Sequence, residues 1–257
     1  MNSDLDRRRP RRQAPAPAGE TPAVQEVRAL LIGEDAHTLV FNKPAGLAVQ
    51  GGSGVAKSLE DLLATFAKSN GKRPRLVHRL DRDTSGVIIA ARTKPAAAFY
   101  SEAFASRDAR KTYLAIACGG APEPHEGDIA HALKKSSRKG LDIMEIARPG
   151  ETGAQTALTR YKTLAATPEA AFVELSPETG RMHQLRAHLA AIGRPIAGDA
   201  KYGGLFHLAG AEIPGLMLHA AALDLPHPEG GRRRYEAPPP AAFTETLRSL
   251  GLETPPG

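Results

Sequence analysis

Cysteine is nearly absent: Cys118 stands alone among 257 residues. One thiol can form neither an intramolecular disulfide framework nor a multi-thiolate zinc site, and the paired-Cys motif of the zinc deaminases is missing. Tryptophan is absent and aromatic residues make up 5 % of the chain, so aliphatic and alanine side chains must supply the core. No apolar run approaches the roughly 20 residues of a membrane span. The N-terminal stretch is basic but lacks the apolar centre of a secretory signal. These absences point to the cytoplasm; no membrane partner is expected, and a monomer is the expected state.

What is present fits a folded domain. Hydrophobic residues make up 41 % of the chain, enough for a core and too much for a disordered polypeptide. Net charge is +6, and a positive surplus favours polyanionic partners. Residues 1–24 carry five arginines against Asp4, Asp6 and Glu20, a balance of +2 that leaves +4 for the remainder. Their Arg, Pro and Ala content shows no hydrophobic period and reads as a disordered basic arm. Residues 25–257 read as one catalytic domain.

Along that domain, Val27–Ile32 and Thr38–Asn42 read as strands, followed by a turn at Asn42-Lys43-Pro44-Ala45-Gly46. Ser58 fits an N-cap for a helix over Leu59–Lys68, with Glu60 and Asp61 in its first turn. Gly86–Arg92 is a compact β-branched run and predicts a buried strand. A helix from Pro95 to Arg107 and a strand over Lys111–Cys118 follow. The pattern then predicts strands at Ala171–Ser176 and Leu216–Leu225, and helices at Arg181–Ile192 and Pro240–Leu250. Strands outnumber helices without regular alternation. That argues for an α+β fold with a mixed, largely antiparallel sheet, flanking helices and a central cleft.

Three segments concentrate chemistry. Val77-His78-Arg79-Leu80-Asp81-Arg82-Asp83-Thr84-Ser85-Gly86 packs charged and titratable groups between two apolar runs, where loops carry function more often than the elements they join. Asp83, Thr84 and Ser85 fit simple backbone capping. In Thr179–Arg186, helical spacing from Arg181 places Arg181, Gln184 and His188 away from the Met182–Leu185–Leu189 stripe, as a solvated face would be. Tyr113 lies in the strand that opens Lys111-Thr112-Tyr113, where sheet packing is the ordinary fate of a tyrosine.

Together these residues resemble the RluA class of pseudouridine synthases. The signature loop of that class, His-Arg-Leu-Asp, two variable residues and Thr-Ser-Gly, matches His78 to Gly86. Its companions occur in order: Asn42–Leu47, Lys111-Thr112-Tyr113, Gly180–Arg186, Gly193–Asp199 and Leu218-His219-Ala220. The resemblance spans about residues 27–243, and several ordered motifs are far more specific than one. It implies the pseudouridine synthase fold and an enzyme that isomerises uridines in ribosomal or transfer RNA without metal or cofactor. Residue by residue, it implies Asp81 as the catalytic aspartate, Tyr113 as the tyrosine against the target base, and Arg181 as the arginine paired with Asp81. Arg79 would help displace the base, Leu218 would line the uracil pocket, and Lys43 and Gln184 would contact RNA or shape the site. Many members carry a small RNA-binding domain before the catalytic one, and the stretch before the match is too short for it. Target choice is therefore expected from the catalytic domain and its loops.

The chemistry suits a carboxylate. The N1–C1′ bond breaks, the uracil turns and C5 joins C1′, with no redox change. A carboxylate can attack, stabilise positive charge or move a proton, and a guanidinium opposes the rise in its pKa that burial causes. The uridine must leave its stack to reach it. Outside the core motifs, Lys134, Lys135 and Arg138 in a basic hairpin tip are candidates for phosphate contact; for Arg232–Arg234 a solvated run is the simpler reading. Two other readings of the chain stand open at this point. His78, Asp81 and Asp83 could bind a divalent ion in a phosphodiesterase, or the chain could be a catalytically silent RNA-binding module.

Overall fold

The computed structural model describes residues 22–52, 55–67, 71–138 and 140–253. Helix α1 (Pro22–Ala29) precedes a hairpin of β1 (Leu31–Glu34) and β2 (Thr38–Lys43). Helix α2 (Leu59–Leu62) runs into a 3-10 turn over Leu63–Phe66. Then come β3 (Arg75–Leu76), β4 (Ser85–Ala91), α3 (Lys94–Ala105) and β5 (Arg110–Cys118). The middle holds β6 (Glu126–Ile129), β7 (Leu133–Arg138), β8 (Leu141–Ile146), β9 (Thr159–Ala166) and β10 (Ala170–Pro177). Helix α4 (Gln184–Ala191), the short strands β11 (His207–Leu208) and β12 (Ala211–Glu212), β13 (Leu218–Pro226), β14 (Arg232–Glu236) and α5 (Ala241–Ser249) complete the chain.

Among the described residues, ten strands form one sheet in the order β1-β2-β4-β13-β5-β10-β9-β6, with β3 also on β4 and β14 also on β13. Every pairing is antiparallel except β4 with β13. The expected α+β architecture with a mixed, largely antiparallel sheet is therefore the architecture found. Helices cover both faces at β2 and β4. Leu39, Phe41, Ile88 and Ala90 pack with Val27, Leu59, Leu62 and Leu63, while Val40, Val87 and Ile89 pack with Ala96 and Tyr100 of α3. The alternation of a strand puts successive residues on opposite faces, so a strand covered on both sides must be apolar throughout. That accounts for the continuous run in β4.

The one parallel pairing between strands of this sheet, among the described residues, holds the fold's centre together. Ser85 and Gly86 of β4 lie beside His219 and Ala220 of β13. Gly86 has φ +115°, and a Cβ there would fall 2.1 Å from the Ala220 carbonyl oxygen, so only glycine permits this approach. The Ser85 hydroxyl donates to His219 Nδ1 (2.9 Å), and His219 Nε2 donates to the Ala237 carbonyl (3.0 Å). The Thr84-Ser85-Gly86 and Leu218-His219-Ala220 segments are thus two halves of one joint that fixes the loop before β4.

Several local expectations need correction. Val27–Ile32 is not a strand: α1 extends to Ala29, with Val27 buried in the core and Leu30 packed against it, and β1 begins at Leu31. Residues 1–21 of the expected arm lie outside the described residues, and residues 22–24, its remainder, belong to α1. Ser58 makes the expected cap in full, accepting from Asp61 N–H while Asp61 accepts from Ser58 N–H, but the α-helix ends at Leu62. Helix α4 starts at Gln184 and not at Arg181. Among the described residues, no helix is long and apolar enough to cross a membrane.

Candidate active site

A cleft of about 1200 Å³ opens between the β4 loop, β5, the loop before α4 and the start of β13. Asp81, Arg79, Tyr113, Leu218, Arg181 and Gln184 line it; Lys43, Lys134, Lys135 and Arg138 do not. The sequence therefore brings six of its ten candidates to one place. Asp81 sits on the cleft wall with its side chain 24 % exposed.

The arginine beside Asp81 is Arg186. Its Nη1 lies 3.3 Å from Asp81 Oδ2. The expected pairing with Arg181 is not made: Arg181 Nε donates to the Thr156 carbonyl at 3.1 Å. The reason is backbone geometry. His183 takes φ +49°, a left-handed conformation that a non-glycine residue adopts at a cost. The helix therefore begins one residue later, and the chain direction before it differs from a helical continuation. Arg181 stays on the loop, while Arg186, in the first turn, faces inward.

Arg186 is aimed by residues that carried no assigned role. Its Nε and Nη2 donate to the two carboxylate oxygens of buried Asp199, both at 2.7 Å. Its guanidinium lies 5.2 Å from the Tyr202 ring centroid. A two-point fork and a stacked face fix a planar guanidinium in orientation, leaving Nη1 directed at Asp81. Asp199 is itself held by the backbone N–H groups of Lys201 and Tyr202. Gly198 has φ +72°, and a Cβ there would meet the Gly215 carbonyl at 1.9 Å, so that loop closes only on glycine. The Tyr202 hydroxyl accepts from Met144 N–H (2.7 Å) and shares a hydrogen bond with His183 Nδ1 (3.0 Å). His183 Nε2 stands 3.9 Å from Asp81 Oδ2. Burial lowers the His183 pKa most, with Arg186 acting in the same direction and Asp81 against it.

Gln184, expected to contact RNA or shape the site, is bonded within the protein. Its Oε1 accepts from Thr179 Oγ1 and Arg181 N–H, and its Nε2 donates to Leu158 O and Thr159 Oγ1. Thr159 Oγ1 donates in turn to His188 Nδ1, and His188 Nε2 donates to His131 O. Gln184 and His188 are buried, so the expected solvated face is a satisfied polar network that anchors α4. Such burial is tolerated because every group is paired.

Lys43, with the same two expected roles, is likewise bonded within the protein. It is fully buried, and Nζ donates to the carbonyls of Pro44, Leu47 and Arg82, each at 2.9 Å. It ties the turn after β2 to the Asp81 loop. Burial pulls its pKa down to about 8, against the opposing charges of Asp83 and Asp81. Gly46 N–H to Arg82 O, and Arg82 Nε to Gly46 O, complete the clamp.

His78 turns away from Asp81. Its Nε2 accepts from Ile89 N–H (3.0 Å), and its ring stacks on Phe104 (4.6 Å). Burial, and then the Lys111 charge, pushes its pKa down to about 3. A metal centre built on His78, Asp81 and Asp83 would need His78 elsewhere. Among the described residues no group of three His, Cys, Asp or Glu side chains is placed to hold a metal ion. Tyr113 keeps its proton: burial, and then the Asp81 charge, raises its pKa. Leu218 is buried beneath the cleft.

The hairpin cations are engaged elsewhere. Lys134 pairs with Glu151 and Lys135 with Asp142, both at 2.8 Å, and Arg138 with Glu145 at 3.4 Å. Arg232, Arg233 and Arg234 likewise pair with carboxylates.

Comparison with known proteins points to one family. The family model described as RNA pseudouridylate synthase matches residues 37–191. A mitochondrial pseudouridylate synthase of Xenopus tropicalis is 35 % identical over 271 residues, covering 90 % of this chain and 83 % of that protein. The ribosomal large subunit pseudouridine synthase C of Escherichia coli (strain K12) is 36 % identical over 239 residues, covering 90 % and 73 %. The solved structure of human RNA Pseudouridylate Synthase Domain Containing 4 superposes with TM-score 0.75 at 29 % identity, covering 91 % of this chain and 97 % of that one.

Proposed function

The chain belongs to the RNA pseudouridylate synthase family, within the RluA class, and is an RNA pseudouridine synthase; from that footing we propose that it isomerises uridines of large-subunit ribosomal RNA, with Asp81 as the catalytic carboxylate. The observation that carries the assignment of Asp81 is its place in the cleft, facing the clamped Nη1 of Arg186. The ribosomal substrate rests on the likeness to the large-subunit enzyme of Escherichia coli.

In this reading a uridine leaves its stack and enters the cleft. Tyr113 offers a flat face, Leu218 an apolar floor, and Arg79, exposed on the loop beside Asp81, takes part in displacing the base. Arg186 holds the direction of Asp81 through Nη1, so a base brought to it meets an oriented carboxylate. The N1–C1′ bond breaks, C5 bonds to C1′, N1 takes a proton and the C5 hydrogen leaves to water. Atoms balance without an oxidant or a second substrate.

Release of tritium from a [5-³H]uridine-labelled, unmodified transcript of large-subunit ribosomal RNA tests this directly. Wild-type protein should release it, and pseudouridine mapping in cells lacking the protein should show sites lost from that RNA. Loss confined to transfer RNA would replace the proposed substrate.

A further inference from the structure

The end of helix α3 carries an unexplained side chain. Ser106 caps the helix, Arg107 N–H bonds to Phe104 O, and Asp108 N–H bonds to Ala103 O. This is the helix ending in which the residue after the cap is left-handed and usually glycine. Here that residue is Arg107, with φ +64°. The left-handed turn disfavours any side chain. Among the described residues Arg107 has no ion-pair partner, and the same holds for Arg110 at the start of β5. Both are exposed and both line the cleft.

The nearby carboxylates are held off. Asp108 follows Arg107 in the chain, and Asp224 is the cross-strand partner of Arg110. Arg232 engages both: Nε lies 2.7 Å from Asp224 Oδ1 and Nη1 2.5 Å from Asp108 Oδ1, while Nη2 bonds to the two backbone carbonyls. One arginine therefore neutralises the two acids that would otherwise quench Arg107 and Arg110. Lys111 adds a further cation on the same strand, with Nζ 5.5 Å from the Phe104 ring centroid.

We propose that the corner formed by Arg107 and Arg110 is a phosphate-binding site that grips the RNA backbone beside the target nucleotide. It deepens the reading above, on which it rests, by naming where the substrate strand is held. Arg110 is three residues before Tyr113 along β5, about 10 Å at strand rise, which sets the corner beside a base held at Tyr113. Two exposed guanidiniums without internal partners offer forked donors that suit phosphate oxygens. The ion-paired hairpin over β7 and β8 offers no such surplus.

Arg107→Gly separates the proposal from a structural role, because glycine suits this backbone. The probe is the unmodified large-subunit ribosomal transcript, with affinity measured by filter retention across a salt series and read independently of turnover. Arg107→Gly should weaken binding roughly tenfold at low salt and flatten the plot of log affinity against log salt by about 0.7–0.9. Its unfolding midpoint should stay constant or rise by about 2–4 °C. Arg110→Gln should weaken binding similarly, and Lys135→Gln should change it by less than about twofold. Wild-type affinity and slope in both Arg107→Gly and Arg110→Gln would overturn the proposal. If Arg107→Gly lowers the midpoint, Arg110→Gln alone decides by the same criterion. Wild-type protein that binds the transcript yet forms no pseudouridine would defeat the substrate reading while the corner is still decided by these affinities. Wild-type protein that fails to bind would overturn both.

Discussion

The interior of the cleft and its rim use arginine in opposite ways. Inside, Arg186 has Asp199, Tyr202 and Asp81 around it, and the neighbouring Gln184 and His188 are saturated with partners. At the rim, Arg107 and Arg110 have no ion-pair partner among the described residues. A cation locked by its own protein fixes geometry but has little left for a ligand; a cation without internal partners can release counterions from an incoming polyanion. The interior should therefore govern rate and the rim affinity.

Changes inside the cleft offer the sharpest ways to break that division. Asp81→Asn should lower the single-turnover rate by roughly ten-thousandfold or more, while RNA affinity and unfolding midpoint stay near wild type. Tritium release within tenfold of wild type would remove Asp81 from the chemistry. Asp199→Asn should come next. It touches no substrate but leaves Arg186 buried with a broken fork, which costs roughly 3–5 kcal/mol and lowers the midpoint by about 6–20 °C. Below that midpoint the rate should fall roughly a hundredfold through misorientation of Asp81, with little change in the salt dependence of binding. A variant that loses affinity and not rate would place Asp199 with the rim.

How much of this was legible in sequence differs by residue. The loop over His78–Gly86, the buried run of β4 and the cap at Ser58 are local patterns, and the structure contains them. The arginine was misassigned because the choice between Arg181 and Arg186 depends on the left-handed turn at His183, which no periodicity reports. A helix drawn from Arg181 turns the face holding Gln184 and His188 to solvent. In the fold that face meets Thr159 and the His131 carbonyl, partners more than 20 residues away. Asp199 was quoted in a motif but reads locally as a turn residue beside glycine; its role exists only once Arg186 reaches it. Nothing local marks Lys43 as buried, since lysine is usually exposed; the three carbonyls that converge on it are a tertiary feature.

A smaller effect sharpens the role of His78, which supports the loop and not the chemistry. Its pKa of about 3 in the folded protein lies below the ordinary 6.5. As pH falls from about 6.5 toward 3, the unfolded chain takes up a proton that the folded one refuses, so stability falls through that window. In His78→Asn the amide oxygen can still accept from Ile89 N–H, and this titration is absent. The stability gap between wild type and variant, from urea unfolding, should shrink by about 2 kcal/mol between pH 7 and pH 5. A gap independent of pH would mean that His78 is not held neutral.

The most direct test of the account compares two conservative substitutions five residues apart. Lysine at position 186 keeps the charge but cannot hold the Asp199 fork and face Asp81 together; lysine at position 181 need only serve a loop. Single-turnover tritium release, measured with excess protein below the unfolding midpoint of each variant, should fall roughly a hundredfold or more for Arg186→Lys. Arg181→Lys should stay within about threefold of wild type, and RNA affinity should change little in either. A steep loss in Arg181→Lys with a near-wild-type rate in Arg186→Lys would contradict the account and return the partnership with Asp81 to Arg181.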